Sequence, residues 1–386
     1  MQEKYHDEWS FQRARLRRGL VRSLLKPVCR WRPIDQPAEG YTLVIGCPAA
    51  MAKVLHANLL LVRQQRREHL REIIIAFDVV ASRADASVLD ELRRRFADLP
   101  LRFVFYTPMQ AAVLDAIGWA WCYCWLNWAL PLGSVNTRYA IVHDLDALLL
   151  RDDIFEQRYR VIQERGDRFV GVNHYHGNGL TPSDRLAVTF EMILDAADLR
   201  AHCRPIDLFN RVMRHDGRRV EFDTLLYPQV QRGRASLLPL KAEDMVHPTQ
   251  LVCQYVELQR RRRYTPPERN NLMMLAYFHY LAGDPLVLEQ HRLELERARG
   301  PVLRLFGKQA DVARLSRRHV AWLAAQIERV EHAVAGEVRG AVRSYIDSLE
   351  AFVHRNEHAA LADRAAGEPV RVMAVEDAGP QSGERT

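Results

Sequence analysis

The chain lacks most of the marks that assign a protein on sight. Its six cysteines, Cys29, Cys47, Cys122, Cys124, Cys203 and Cys253, are scattered, and none forms a C-x-x-C pair. Metal-finger and disulfide-framework organisation are therefore disfavoured, and reduced thiols in a cytoplasmic protein are expected. The N-terminus has no apolar h-region, so no secretory signal is expected. No G-x-G-x-x-G follows the first apolar strand, and no P-loop or G-x-S-x-G occurs, which leaves dinucleotide-binding and serine-hydrolase readings unsupported. Long hydrophobic runs are scarce. The longest candidate, Ala111 to Leu130, contains Asp115 and Asn127 and reads as a buried, Trp-rich helix rather than a span. Acid is also in deficit. Against 55 Lys and Arg stand 48 Asp and Glu, a formal net charge of +7 over 386 residues. Such a balance favours phosphates or an anionic membrane surface as partners, or it reflects an Arg-rich composition. Nothing resembles a nucleic-acid module with stacked aromatics, so no nucleic-acid partner is expected.

What is present falls into segments. Residues 11–32 carry eight basic residues and no acids, with Leu16, Leu20 and Leu24 at helical spacing and Trp9 two turns before them. This predicts a basic amphipathic helix that either rests on anionic lipid or packs on the protein's own body with Arg15, Arg18 and Arg22 in solvent. From Tyr41 the pattern alternates. Thr42–Cys47, Glu72–Asp78, Leu101–Thr107 and Tyr139–His143 are apolar strands separated by helices, which indicates a parallel sheet covered on both faces. Arg168–His176 reads as a fifth strand, Pro205–His215 as a helix stopped by Gly217, and Arg218–Pro228 as a further strand. From Asp311, Val320, Leu323, Ile327, Val330 and Val334, then Val338, Val342, Tyr345, Leu349 and Val353, trace one apolar seam. That seam predicts a long helix or helical hairpin that caps the body or pairs with a second copy. Residues 364–386 have little apolar content and are expected to be disordered.

The chemistry is concentrated after the fourth strand. Asp144 and Asp146 follow it one residue apart, where i and i+2 point to one side. Two carboxylates that close repel unless a cation joins them, and hard oxygen ligands suit Mg²⁺ or Mn²⁺. The alternative is a helix cap with solvated acids.

Taken with Val44–Pro48, Ile73–Asp78 and Val142–Leu150, this segment resembles the GT-A fold of D-x-D nucleotide-sugar glycosyltransferases over about residues 41 to 255. The resemblance implies an α/β, Rossmann-like, mostly parallel sheet covered by helices, with a C-terminal helical extension. It implies a nucleotide pocket lined by Cys47, Pro48 and Asp78, and Asp144 and Asp146 holding the metal and facing the donor diphosphate. A late third ligand would be His247, which otherwise reads as a loop histidine. Arg83 is a candidate for a phosphate, or a solvated arginine. Asn173, His174 and His176 are candidates for sugar contact in a glycine-loosened loop. Where many inverting members carry an acidic pair, this chain has Arg204 and Pro205. The general base therefore stays open among Asp207, Asp223 and Asp244, and a retaining outcome stays open too.

The expected organisation is a basic helical segment (1–38), a catalytic domain (39–258), a helical C-terminal region (259–363) and the tail (364–386). The expected function is metal-dependent transfer of a sugar from a nucleotide-sugar donor to a glycan or lipid-linked acceptor. Residues 11–32 would give peripheral contact at the inner membrane face, and the C-terminal helices a homo-oligomer. A sugar-phosphate nucleotidyltransferase shares the sheet and metal, but Gly46–Lys53 matches its glycine-rich loop poorly. A non-catalytic basic protein using Arg13–Arg32 and Arg260–Arg263 is the third reading.

Overall fold

The computed structural model describes residues 4–233, 235–266 and 269–365. The expected disordered tail lies outside the described residues from 366 onward. In chain order the strands that bear on the site are β1 (Ala38–Cys47), β2 (Leu70–Val80), β3 (Leu101–Tyr106), β4 (Thr137–His143), β5 (Leu148–Leu149), β6 (Phe169–Gly171), β7 (Glu191–Asp195), β8 (Arg211–His215), β9 (Arg218–Phe222), β10 (Ser236–Leu237) and β11 (Met245–Val246). The helices around them are α1 (Glu8–Leu25), α2 (Ala52–Gln64), α3 (Ala86–Arg95), α4 (Pro108–Ile117), α5 (Ala120–Ser134), α6 (Ile154–Arg165), α7 (Ala196–His202) and α8 (Leu226–Arg232).

Seven strands form the central sheet in the order β10-β6-β7-β4-β1-β2-β3. Strand β1 runs parallel to β2 and β4, β2 to β3, and β10 to β6. Only β7 opposes its neighbours. The result is the expected α/β architecture: a mostly parallel sheet covered by helices. Side-chain alternation divides the core. Leu43, Ile45, Ile73, Ile75 and Ile141 join one cluster, while Val44, Ile74, Ala140 and Val142 join the other. The second cluster holds α5, whose closeness to the sheet depends on Gly46. A Cβ there would stand 3.0 Å from Asn127 Cβ, so even alanine would crowd the helix.

Several expectations are corrected. The Trp-rich run is two helices, because Gly118 takes the left-handed conformation (φ 66) and caps α4. Pro205–His215 is not a helix. A 3₁₀ turn at Pro205–Leu208 leads into β8, and Asp216 and Gly217, both at positive φ, turn it into β9. Asp-Gly here is a hairpin turn whose twist suits paired strands, not a helix stop. The fifth strand shrinks to Phe169–Gly171. Strand β7 was not anticipated. Its five residues run straight into α7, with no turn signal between them, and Asp195 caps that helix.

The C-terminal extension is present as helices, but a small sheet of 263–264, 302–305 and 308–311 interrupts it. The apolar seam forms a hairpin of Arg317–Ala335 and Gly340–Ala365. Val320, Leu323, Ile327, Val330, Val342, Tyr345, Leu349 and Val353 are buried within one chain. The seam therefore serves the chain's own core. Helix α1 does not pack as the second alternative expected, with its leucines inward and Arg18 in solvent. Phe11, Arg18, Val21 and Leu25 face the body, while Leu16, Leu20 and Leu24 face outward.

Candidate metal and nucleotide site

Strand β4 ends at His143, and the chain then turns through Asp144, Leu145, Asp146 and Ala147, with Ala147 N donating to Asp144 O at 3.0 Å. The turn delivers β5, which pairs antiparallel with β11. That two-residue ladder carries the residue after β11, His247, back to the aspartates. His247 Nε2 lies 3.5 Å from Asp146 Oδ1 and 3.8 Å from Asp144 Oδ2. Donor atoms of all three residues lie within 4.8 Å of one another. Around a small divalent ion, donors sit roughly 3 Å apart when adjacent and roughly 4 Å when opposite, so modest contraction would close the set. Phe190 stacks on the imidazole, with ring centres 4.3 Å apart, and its carbonyl accepts from Asp144 N at 2.8 Å.

The electrostatics suit a cation. Asp146 is only 4% exposed. Among the described residues no arginine or lysine pairs with Asp144 or Asp146; His247 is their only charged partner. Burial, and then repulsion from Asp146, push the Asp144 carboxyl up to about 7. Burial alone would lower His247, but the hydrogen bond and charge of Asp146, followed by Asp144, outweigh it and raise the imidazole. Among the described residues two other groups have metal-ligand composition, and each has a carboxylate already held by protein partners. Glu156 accepts from His69 N, His69 Nδ1 and Tyr41. Asp184 is bound by Arg218.

A buried scaffold holds the turn. Asn58 of α2 directs its amide nitrogen at the carbonyls of Leu145 and Ala147, both at 3.0 Å, and of Asp144 at 3.3 Å. The same nitrogen lies 3.0 Å from His143 Nε2. An amide N–H₂ only donates, so Nε2 accepts, and Nδ1–H donates to Glu191 Oε2 at 2.5 Å. Glu191 in turn faces Arg158 Nε at 3.1 Å, and both are fully buried. Sequence reasoning found none of these four. A lone Asn or Arg inside a helix carries no signal until the fold shows what surrounds it.

Of the expected nucleotide residues, Asp78 is placed best. It accepts from Ala49 N at 2.8 Å, just beyond Pro48 at the end of β1, and burial raises its carboxyl. Cys47 has its side chain fully buried in the core. Arg83 is exposed on a short turn after β2.

The three candidate bases separate. Burial would raise Asp207, but hydrogen bonds from Arg204 and the charges of Arg204 and Arg22 hold it below the usual range. Arg211 adds a third guanidinium, at 3.2 Å. Asp244 is buried, accepts from Lys241 N and pairs with Arg151 at 3.0 Å. Asp223 differs. Asn210 Nδ2 and Thr224 N donate to its Oδ1 at 3.0 and 2.8 Å, and Oδ2 takes no hydrogen bond among the described residues. It lies close enough to help raise Asp144. In the Asn173–Gly179 loop, Asn173 and His176 are exposed, and His174 is partly buried with an unpartnered Nδ1. Tyr175, not anticipated, is the loop residue that feels the Asp223 charge, and its hydroxyl accepts from Asn178.

No protein-family model matches the sequence, and no curated protein does. Among solved structures, the chain is similar to S. aureus TarS 1–349 in complex with UDP-GlcNAc. The identity is 12% over 86% of this chain and 93% of that one, with a TM-score of 0.35. It is also similar to the mannosyltransferase PcManGT from Pyrobaculum calidifontis in complex with GDP-Man and Mn²⁺, at 15% identity over 93% and 98%, TM-score 0.34. A third is an active-site mutant of LgtC, at 12% identity and TM-score 0.31, with 41% of this chain matching 59% of LgtC's length. PcManGT is named as a mannosyltransferase, and LgtC, in a second structure, as a galactosyltransferase.

Proposed function

We propose that the protein is a divalent-metal-dependent glycosyltransferase of the GT-A type, which moves a sugar from a nucleotide-sugar donor to the hydroxyl of a glycan or lipid-linked acceptor. One observation carries the reading. Asp144, Asp146 and His247 converge at the mouth of the sheet with no arginine or lysine beside them among the described residues. An imidazole beside two carboxylates favours Mn²⁺ over Mg²⁺. The bound ion would neutralise charge on the departing nucleoside diphosphate.

The chain's own residues supply the rest. The Pro48 turn and Asp78 form the base and ribose end of the pocket. Asp223 is the favoured base. Its Oδ1 is fixed by Asn210 and Thr224, which leaves Oδ2 to take the acceptor hydroxyl's proton. His174 and Tyr175 border the acceptor side. A nucleotidyltransferase would need a basic, glycine-rich loop after β1, whereas Lys53 leans toward Asp284 at 4.0 Å.

The test is hydrolysis of a panel of nucleotide sugars in the presence of Mn²⁺. Release of one nucleoside diphosphate by the native chain, and not by Asp146→Asn, is expected. Equal release by both proteins, or conversion to nucleoside triphosphate and sugar 1-phosphate only when pyrophosphate is added, contradicts the reading.

A further inference from the structure

Helix α1 has two apolar faces. Phe11, Val21 and Leu25 pack on the body. On the opposite side Trp9, Leu16, Leu20 and Leu24 are 77, 66, 60 and 60% exposed. Steps of seven, four and four place them in one stripe along the helix. They are four of the nine large apolar side chains left exposed among the described residues. Single exposed leucines need no explanation, but a continuous stripe on one helix does.

The surroundings of the stripe are cationic. Arg13 lies within it by spacing, and Arg17 beside it, over the ring of Trp119. Arg15, Lys26, Arg30 and Arg32 make no ion pair among the described residues, so their charge is not neutralised by the fold. At the C-terminal end of α1 a cleft of about 560 Å³ is lined by Lys26, Arg30, Arg200 and Arg204. No helix among the described residues is long and apolar enough to cross a membrane.

We infer that the outer face of α1 lies on an anionic bilayer surface, with Trp9, Leu16, Leu20 and Leu24 in the headgroup and acyl boundary and the surrounding arginines on lipid phosphates. The alternative occupant, a second copy, would press the same arginines against one another, whereas an anionic surface complements them. Apolar insertion and charge attraction act together in such helices. The inference stands independently of the proposed chemistry. It also places the membrane on a defined flank of the site. Arg18, on the inner face of α1, holds Glu221 at 2.9 Å, two residues before Asp223.

The experiment is co-sedimentation of the full chain with phosphatidylcholine vesicles, with and without phosphatidylglycerol. The native chain is expected to pellet with the anionic vesicles and to be released progressively by salt. The exposed-face variant Leu16→Glu/Leu20→Glu should weaken partitioning by at least about tenfold, with its circular dichroism spectrum and melting temperature unchanged. A native chain that stays in the supernatant overturns the inference, as does a variant that pellets equally. A native dimer that the variant dissociates, without vesicle binding, assigns the stripe to a second copy and overturns it as well.

Discussion

Two kinds of buried or half-buried acid occupy this molecule. Glu221 is held by Lys4 and Arg18, Asp207 by Arg22, Arg204 and Arg211, Asp198 by Arg168 and Arg232, and Glu191 by Arg158. Among the described residues, Asp144 and Asp146 have only an imidazole. An Arg-rich chain thus places guanidinium groups on acids that serve structure and leaves the pair at the sheet mouth without one. A buried acid without a counter-charge is unfavourable, and the buried Asp146 beside the half-buried Asp144 is the observation behind the proposed cation site.

The comparison can be sharpened from its functional side first. Asp223→Asn removes the proposed base while retaining the hydrogen bond from Asn210. It should lower kcat by about 10²- to 10⁴-fold in an acceptor-dependent assay, with Mn²⁺-dependent nucleotide binding unchanged. An unaltered kcat would remove Asp223 from the chemistry.

On the structural side, Glu191→Gln leaves Arg158 fully buried without its counter-charge. Urea denaturation should register a loss of about 3–5 kcal/mol, far above that of any acid-to-amide change at Asp144. A loss below about 1 kcal/mol would show that Arg158 is compensated elsewhere. Asn58→Ala joins the two regions, since Asn58 belongs to the buried scaffold but holds the metal turn. It should cost about 1–3 kcal/mol and weaken Mn²⁺ binding as well. Loss of stability with Mn²⁺ affinity intact would separate scaffold from site.

The smallest effect is on pH. Burial and then the Asp146 charge push the Asp144 carboxyl up to about 7, above its unfolded range. The folded state therefore binds the extra proton between those values, and ion-free stability falls as pH rises toward 7. Because a cation must displace that proton and the one on the imidazole of His247, which is also raised, Mn²⁺ affinity should drop by at least about tenfold per unit as pH falls below 7. A flat titration between pH 5 and 7 would contradict the coupling.

How much of this was legible depends on the range of each contact. The parallel strands were readable because both faces are covered, so each is a continuous apolar run. Strand β7 was not, being short, antiparallel and continuous with α7. Asp144 and Asp146 were legible because they are neighbours in sequence behind an apolar strand. His247 was found only through the family resemblance, since about one hundred residues separate it from them and a two-residue ladder closes the gap. The scaffold of Asn58, His143, Arg158 and Glu191 exists only in three dimensions. Helix α1 was legible as amphipathic, but its orientation was not. A period of 3.6 shows that two faces differ, and only packing decides which one is turned inward.

The most direct measurement is calorimetric titration of Mn²⁺ into the native chain and into Asp146→Asn, in the presence of UDP or GDP. The account predicts one site in the native protein and none in the variant, with both melting at similar temperatures. Equal binding by the two proteins would contradict it.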